Sequence, residues 1–366
     1  MDTSRATSRI RTVDDARRIA RRRLPRVVFD YIDGAAETET TMHSNRQAFE
    51  SVGFVPSMAA PGVPVSPSLA TTVFGSQLAM PIVLAPVGFT RAMSPGGDVA
   101  GASAARAAGT VACMSTMSGH SIEEVADAPQ PGNRERDLHH GVSLPLRFNR
   151  QTAVRFAPQA LLRPRWVAGF ARDGFSTRLP CADGLGDPGA PMTPDEALLR
   201  WFVSPVTWDD FGWLRETFDG PVIAKGVLSA VDARRAVDAG ASGIVVSNHG
   251  GRQLDSVAPS LVALREVLGE VGGEVEVALD SGIRRGSDVA KALALGAKAV
   301  LVGRPWAFGL AAAGEPGVAR VLEILRAELE RTLRLLGVRS VDELRPAHVT
   351  VPEHWSNARP KGPAAR

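Results

Sequence analysis

The stretch VEVALDSGIRRGSDVAKALALGAKAVLVGRP, residues 275–305, contains the unit that predicts the fold. An apolar run ends at Asp280, an alanine-rich amphipathic segment follows at 287–297, and a second apolar run covers 299–304. Apolar runs without alternation are typical of strands that are covered on both faces, as in parallel sheets. A strand–helix–strand unit of this kind predicts an α/β fold with right-handed crossovers.

The same unit recurs along the chain. Short apolar, β-prone runs lie at 81–86, 110–115, 221–226, 243–250, 275–282 and 299–304. Alanine-rich amphipathic segments lie between them, for example at 230–240, and leucines at helical spacing predict a final helix over about 316–336. The predicted architecture is a TIM (β/α)8-type barrel, in which eight such units close a parallel sheet.

The barrel is predicted to be incomplete. Neighbouring runs start 22 to 32 residues apart, except that 111 residues separate Thr110 from Pro221. Between Gly119 and Gly220 the nearest strand candidates, TAVRF and WFVSPV, are short and interrupted. Six strands are therefore recognisable where a closed barrel needs eight, and the third and fourth are missing.

Length and composition favour one globular domain. The 366 residues are 44% hydrophobic, and residues 1–352 are predicted to form a single domain with an N-terminal helical segment at 12–45. A long loop or lid region is predicted at 129–220, and a disordered tail at 353–366. The first 28 residues carry nine Arg, but the spacing of Thr12 and Asp15 is typical of a helix start, which favours a solvated helix over a targeting peptide.

Charge and cysteine content limit the partners and the compartment. The net charge of +3 gives no case for nucleic acid. Cys113 and Cys181 form no framework, and no apolar run is long enough to span a bilayer, so a cytoplasmic location is expected. The segment 161–172 mixes Arg with Trp and Phe, which leaves membrane contact and a solvated lid or partner surface as alternatives. His139–His140 lacks the nearby ligands of a metal site, so no metal site is expected. The sequence leaves both a monomer and a homo-oligomer as alternatives.

Polar side chains end four consecutive strand candidates. Lys225, His249 with Arg252, Asp280 and Arg304 hold these positions, and α/β barrels place their chemistry at this end. A histidine can take a proton near neutral pH, and a carboxylate such as Asp280 could hold its tautomer. An arginine fork matches a carboxylate, while the glycines and arginines of DSGIRRG and VGRP suit a phosphate.

Together these groups predict a phosphorylated cofactor over which an acid is oxidised. No GxGxxG motif follows a strand, which disfavours a Rossmann nicotinamide site.

Three long motifs resemble the FMN-dependent α-hydroxy-acid oxidase/dehydrogenase family, which includes glycolate oxidase, L-lactate dehydrogenases and mandelate dehydrogenase. They are FDYIDGAAETE at 29–39, SNHGGRQLD at 247–255 and the run from 280 to 305. The resemblance covers roughly Thr12 to Thr350 and is most detailed to lactate dehydrogenase-like members. It implies FMN-dependent oxidation of a small (S)-2-hydroxy acid to the 2-oxo acid, with oxygen, a quinone or another electron acceptor.

The resemblance also implies roles for individual residues. His249 would be the base, paired with Asp280, and Arg252 and Arg134 would grip the substrate carboxylate with a hydroxyl contact from Tyr31. Lys225 would lie beside the flavin N1–C2 carbonyl. Residues expected to contact the flavin ring are Pro86, Val87, Gly88, Ser115 and Ser247, and those expected at the ribityl chain and phosphate are Asp280, Ser281, Gly282, Ile283, Arg284, Gly303 and Arg304.

The chain departs from the family at 126–137, ADAPQPGNRERD. The family normally has a strand carrying Phe-Gln-Leu-Tyr, a helix, and a strand ending in Thr-Val-Asp-Thr-Pro, and this segment bypasses roughly 40 residues that would supply those barrel strands. The flavin-binding Gln and Thr and the second active-site Tyr have no counterpart, and Tyr31 is the only tyrosine. This loss leaves an alternative function: a degenerate member that keeps flavin or partner binding without turnover.

Overall fold

The computed structural model describes residues 7–57, 65–126, 161–174, 180 and 207–355. Arg134, Cys181, His139–His140 and most of the expected lid lie outside these ranges. The predictions made for them stay predictions.

A parallel sheet forms the centre of the fold. Its spatial order is β4-β8-β7-β6-β5, and every neighbouring pair is parallel. The strands are β1 (Gly53–Phe54), β2 (Thr71–Val73), β3 (Ser76–Leu78), β4 (Ile82–Leu84), β5 (Ile223–Val227), β6 (Gly243–Val246), β7 (Glu276–Leu279), β8 (Val300–Val302) and β9 (Val349–Thr350). Five of the six predicted runs are confirmed as strands of this sheet.

The sixth predicted run, 110–115, pairs with β4 over one position only. Ala112 forms an isolated parallel bridge to Leu84, with hydrogen bonds from Leu84 N to Val111 O at 3.0 Å and from Cys113 N to Leu84 O at 2.8 Å. The order is therefore 110–115, β4, β8, β7, β6, β5, which is that of a barrel interrupted between its second and fifth strands. Within the described ranges the sheet does not close.

Helices cover this sheet on its outer side, as the alternating pattern predicts. They are α1 (Val13–Arg23), α2 (Arg26–Asp33), α3 (Thr40–Ser51), α4 (Thr90–Met93), α5 (Gly97–Ala107), α6 (Ile122–Ala126), α7 (Pro164–Arg172), α8 (Asp209–Thr217), α9 (Ala230–Asp238), α10 (Ser260–Val271), α11 (Gly286–Ala294), α12 (Arg304–Ala313) and α13 (Glu315–Leu336). The helix start at Thr12 is confirmed, because Thr12 and Asp15 form a reciprocal capping box. The final helix is confirmed as α13, and its leucines at helical spacing, Leu322, Leu325, Leu329 and Leu336, are buried.

The core lies between the sheet and these helices, and two glycines allow α12 and α13 to approach closely. A Cβ on Gly309 would lie 2.6 Å from Gly317 O, and a Cβ on Gly317 would lie 2.0 Å from Gly309 O. Both neighbours are backbone atoms, which cannot move aside without shifting a helix.

Gly309→Ala should therefore lower the free energy of unfolding by about 1–3 kcal/mol, the usual range for overpacking. Gly269 is the matched control, because it lies in α10 with no atom within 4 Å of its added Cβ. Gly269→Ala should raise stability by about 0.5–1 kcal/mol, since alanine loses less chain entropy in a helix. Urea denaturation of both variants measures the difference, and equal effects at the two positions would contradict this packing.

Candidate active site

One cavity opens at the C-terminal ends of the parallel strands, and together with its open mouth it encloses about 820 Å³ of empty space. Every predicted site residue except Ser247 and Arg134 lines it. Ser247 is buried directly behind the cavity, and Arg134 is outside the described ranges. Met117 and Gly250 also line the cavity, although the sequence does not predict them as site residues. The only sequence feature that could have indicated them is their position in a turn after a predicted strand.

A buried ion pair lies at the base of the cavity. Lys225 Nζ is 3.0 Å from Asp280 Oδ2, and the two side chains are 7% and 9% exposed. Lys225 also donates to Ser247 Oγ at 3.2 Å, and the Ser281 hydroxyl donates to Asp280 Oδ1 at 2.6 Å. Lys225 and Ser281 thus each contact one carboxylate oxygen of Asp280. The sequence predicts a pairing of Asp280 with His249 and does not predict these two contacts.

The turn that carries His249 has an unusual backbone conformation. His249 has φ of +57°, Gly250 +69° and Gly251 +77°, and Ser281 at the end of the next strand has +77°. Non-glycine residues in this region are uncommon and cluster at functional sites. Within the turn after β6, His249 N donates to Ser247 Oγ at 3.0 Å. Gly250 N donates to Ser281 Oγ at 2.9 Å, and this hydrogen bond joins the turn after β6 to the turn after β7.

A second set of polar contacts anchors this turn to α3. Asn45 and Asn248 are both buried and exchange hydrogen bonds of 2.9 and 2.8 Å. Asp255 accepts hydrogen bonds from the amides of Thr40 and Thr41, and the Thr41 amide above all lowers the pKa of its carboxyl. Asn248 and Asp255 belong to the SNHGGRQLD motif, but their partners on α3 are distant in sequence.

Arg252 and Arg304 both contact the C-terminal end of α2. Arg252 donates to the carbonyl oxygens of Tyr31 and Gly34, and its guanidinium lies 4.7 Å from the Tyr31 ring centroid. Arg304 donates to the carbonyl oxygens of Ile32, Gly34 and Gly250. The last carbonyls of a helix lack partners inside it and attract cations. These two arginines therefore hold the N-terminal segment over the mouth as well as lining the cavity.

Arg284 supplies positive charge beside the Asp288 carboxylate, which accepts a hydrogen bond of 2.9 Å from the Arg284 backbone amide. Its guanidinium donates to its neighbour Ile283 O at 2.8 Å, and no ion pair joins it to any residue of the described ranges. Burial, and then the nearby Arg46, lowers its pKa to about 10. An anion at this position would stabilise the charged guanidinium, since an opposite charge favours the ionised form.

These residues fit FMN. The anion that suits Arg284 is a phosphate, and Gly282 and Gly303 provide backbone without side chains beside it. Pro86, Val87 and Leu301 provide an apolar wall for a flat ring system.

A buried carboxyl group supports the other side of the cavity. Asp98 is 5% exposed and accepts hydrogen bonds from the hydroxyls of Thr90 and Ser118. Ser118 lies in the turn that also presents Ser115 and Met117 to the cavity. Burial raises the pKa of Asp98 to about 6.

The raised pKa of Asp98 predicts a pH dependence of stability. The folded carboxyl keeps its proton between about pH 4 and 6, where the unfolded one has lost it, so stability should decrease as pH rises through this window. The full change is about 3 kcal/mol. Asp98→Asn should remove it, so that the variant gains stability relative to the parent protein between pH 4 and 7. His120 lies in the next turn and titrates in both proteins, so the comparison cancels its contribution.

Urea denaturation at several pH values between 4 and 7 measures this difference. Asp219→Asn, at an exposed carboxylate, is the control. If the free energies of unfolding of Asp98→Asn and of the parent change in parallel with pH, the Asp98 carboxyl has the same pKa in the folded and unfolded states, which would contradict this prediction.

The fold and this cavity define a class: an α/β-barrel enzyme whose mouth can hold a phosphorylated cofactor beside a histidine and an arginine.

Comparison with known proteins identifies the family. A model described as FMN-dependent dehydrogenase matches residues 20–130 and 126–351. Pre-mycofactocin synthase of Mycobacterium tuberculosis is 41% identical over 379 residues, covering 93% of this chain and 94% of that protein. L-lactate dehydrogenase of Caulobacter vibrioides is 37% identical over 372 residues, covering 91% and 95%. A crystal structure of the monotopic membrane protein (S)-mandelate dehydrogenase matches with a TM-score of 0.79 and 32% identity, covering 93% of this chain and 99% of that one.

The chain therefore belongs to the FMN-dependent dehydrogenase family. It is an enzyme of FMN-dependent 2-hydroxy-acid oxidation, and its cofactor is FMN. In the described ranges, no helix combines the length and apolar character needed to cross a membrane.

The comparisons also support an internal loss. The two pieces of the family match meet at 126–130, inside the segment predicted to bypass two barrel strands. The alignment with pre-mycofactocin synthase spans 379 residues but takes in 93% of a 366-residue chain, so roughly 40 aligned positions have no residue here.

Proposed function

We propose that this enzyme oxidises a small (S)-2-hydroxy acid, such as lactate, to the corresponding 2-oxo acid. The observation that carries the proposal is one cavity lined by the imidazole of His249, the guanidinium of Arg252 and the ammonium of Lys225. FMN, when bound, accepts the two electrons that leave the substrate.

The protein side chains act on the two ends of the substrate. Arg252 binds the carboxylate through its planar fork, and the Tyr31 hydroxyl adds a hydrogen bond. This places the hydroxyl-bearing carbon beside His249, which takes a proton from that end. Arg134 is the second carboxylate ligand of the proposal, and it lies outside the described ranges.

The remaining polar groups hold the cofactor and the base. Lys225 provides positive charge beside the flavin, and Asp280 balances that charge while it orients His249. Arg284 and Arg304, with the amides of Ser281, Gly282 and Gly303, hold the phosphate and ribityl chain. Ser115, Ser247 and the Pro86–Gly88 segment contact the ring.

A second candidate reaction is the one by which pre-mycofactocin synthases form pre-mycofactocin. The 41% identity to the mycobacterial protein, compared with 37% to the lactate dehydrogenase, favours including it. The third alternative is a member that binds FMN without turnover, and its motivation is the loss of two barrel strands that the sequence predicts. We propose a cytoplasmic location for this protein.

Turnover assays separate these candidates. FMN-loaded protein is incubated with each enantiomer of lactate, glycerate and mandelate, and with glycolate, using oxygen or a soluble quinone as acceptor. The proposal expects a 2-oxo acid from the (S) enantiomers, and the preferred acceptor distinguishes an oxidase from a dehydrogenase. Formation of pre-mycofactocin from the synthase's own substrate, with no 2-oxo acid from any hydroxy acid, would favour the second candidate. A bound flavin with no product in either assay would favour the third.

A further inference from the structure

A second concave surface lies beside the active site, and its charge is one-sided. It is a groove of about 1800 Å³ between α1, α4 and α7, with Leu310 of α12 at its base. We call it the arginine groove. Six arginines line it without an ion pair to any described residue: Arg9, Arg22, Arg23, Arg163, Arg165 and Arg172. Among the lining residues that belong to the described ranges, none is Asp, Glu or Lys.

The arginines of the groove repel one another. The pKa of Arg23 is lowered by burial and by the charge of Arg165, although the two lie on different helices, α1 and α7. Arg23 donates to Ala312 O, and Arg163 donates to Leu24 O at 3.3 Å, so within the described part of the chain these two charges are offset by carbonyl dipoles and by no carboxylate. Exposed like charges with no counter-charge destabilise a surface unless an anionic partner covers it.

The floor of the groove is apolar and ordered by specific contacts. Trp166 stacks on Phe170 with ring centroids 5.1 Å apart, and its indole N–H donates to Ala92 O at 2.9 Å. Arg91, the seventh arginine, pairs with Asp173 and donates to Gly119 O at 2.7 Å. These contacts fix α7 against α4, which follows the cavity-lining residue Gly88. The groove thus adjoins the segment that carries the cavity-lining residue Gly88.

We propose that the arginine groove binds an acidic segment of a partner protein, with Asp or Glu side chains alternating with apolar ones. Arg and aromatic residues without Lys, Glu or Asp are the composition enriched in protein interfaces. Guanidinium forks match carboxylates in pairs, which ammonium groups do not. The cations line a concavity and the aromatic rings are turned inward, a shape that suits a chain segment better than a flat membrane.

Binding of a labelled peptide tests this proposal on the FMN-loaded full chain. The probe is a short fluorescein-labelled peptide that alternates Glu with Leu and Phe, compared with the same peptide carrying Lys for Glu. The acidic peptide should bind with an affinity that falls as salt rises, and the basic peptide should not bind. Arg22→Glu/Arg165→Glu should weaken binding about tenfold or more, a loss of about 1.4 kcal/mol.

The matched control is Arg265→Glu/Arg331→Glu, which changes the net charge equally at exposed positions on α10 and α13. It should bind the acidic peptide like the parent protein. Equal loss in both double variants, or no binding by the parent, would overturn the proposal. Binding to phosphatidylglycerol vesicles instead of the peptide, lost in the groove variant alone, would overturn it in favour of a membrane. FMN content and flavin reduction by substrate should be unchanged throughout, so this test is independent of the proposed function.

Discussion

Replacing His249 with asparagine should slow flavin reduction by a 2-hydroxy acid by about 10²–10⁴-fold, the usual contribution of a general base. Asparagine is the informative choice, because His249 has φ of +57° and asparagine tolerates this left-handed conformation better than alanine does. The variant should keep its FMN, since the phosphate contacts come from other strands. Stopped-flow absorbance measures the rate.

The control for this variant is His354→Asn, at an exposed histidine near the end of the described chain. It should reduce its flavin at the parent rate. A His249→Asn enzyme that is reduced as fast as the parent would remove His249 from the chemistry, whereas loss of FMN would show a structural role instead.

Replacing Lys225 with methionine should have the largest effect on stability. The variant leaves the Asp280 carboxylate buried without its ammonium partner at 3.0 Å. Breaking one half of a buried pair costs about 3–5 kcal/mol, because the remaining charge is uncompensated. Urea denaturation in excess FMN measures the loss at equal cofactor occupancy.

The double variant Lys225→Met/Asp280→Asn tests the cause. Removing both charges should restore much of the stability lost by Lys225→Met alone, since a neutral pair carries no uncompensated charge. Lys298→Met is the control for an exposed pair with Asp342, and it should cost less than about 1 kcal/mol. If the double variant loses as much free energy of unfolding as the Lys225→Met and Asp280→Asn single variants together, the two side chains stabilise the fold independently, which would contradict this account.

Local sequence patterns are sufficient to predict the elements that carry the site. Apolar runs without alternation mark β4 to β8, because strands of a parallel sheet are buried on both faces. Consecutive parallel strands bring their C-terminal ends together, so the sequence alone places Lys225, His249 and Asp280 at one mouth. The 110–115 run is the weakest of these predictions, and it forms a single bridge.

Contacts between distant parts of the chain could not be predicted in the same way. The sequence motifs predict Arg252 and Arg304 as ligands of substrate and phosphate, and nothing in the sequence indicates that they also contact the C-terminal carbonyls of α2. The buried carboxyl of Asp98 is satisfied by hydroxyls from two separate parts of the chain, the first residue of α4 and the turn that contains Ser118. The arginine groove likewise combines α1 and α7, about 140 residues apart in sequence, and only tertiary packing brings their charges together.

Anaerobic mixing of the FMN-loaded enzyme with 2-hydroxy acids tests the central claim most directly, because it requires no electron acceptor. The account predicts that the visible absorbance of the flavin bleaches with the (S) enantiomer of at least one of lactate and mandelate or with glycolate, and not with the (R) enantiomers. Stoichiometric FMN whose absorbance stays unchanged with every acid of a broad panel would contradict 2-hydroxy-acid oxidation by this shortened barrel.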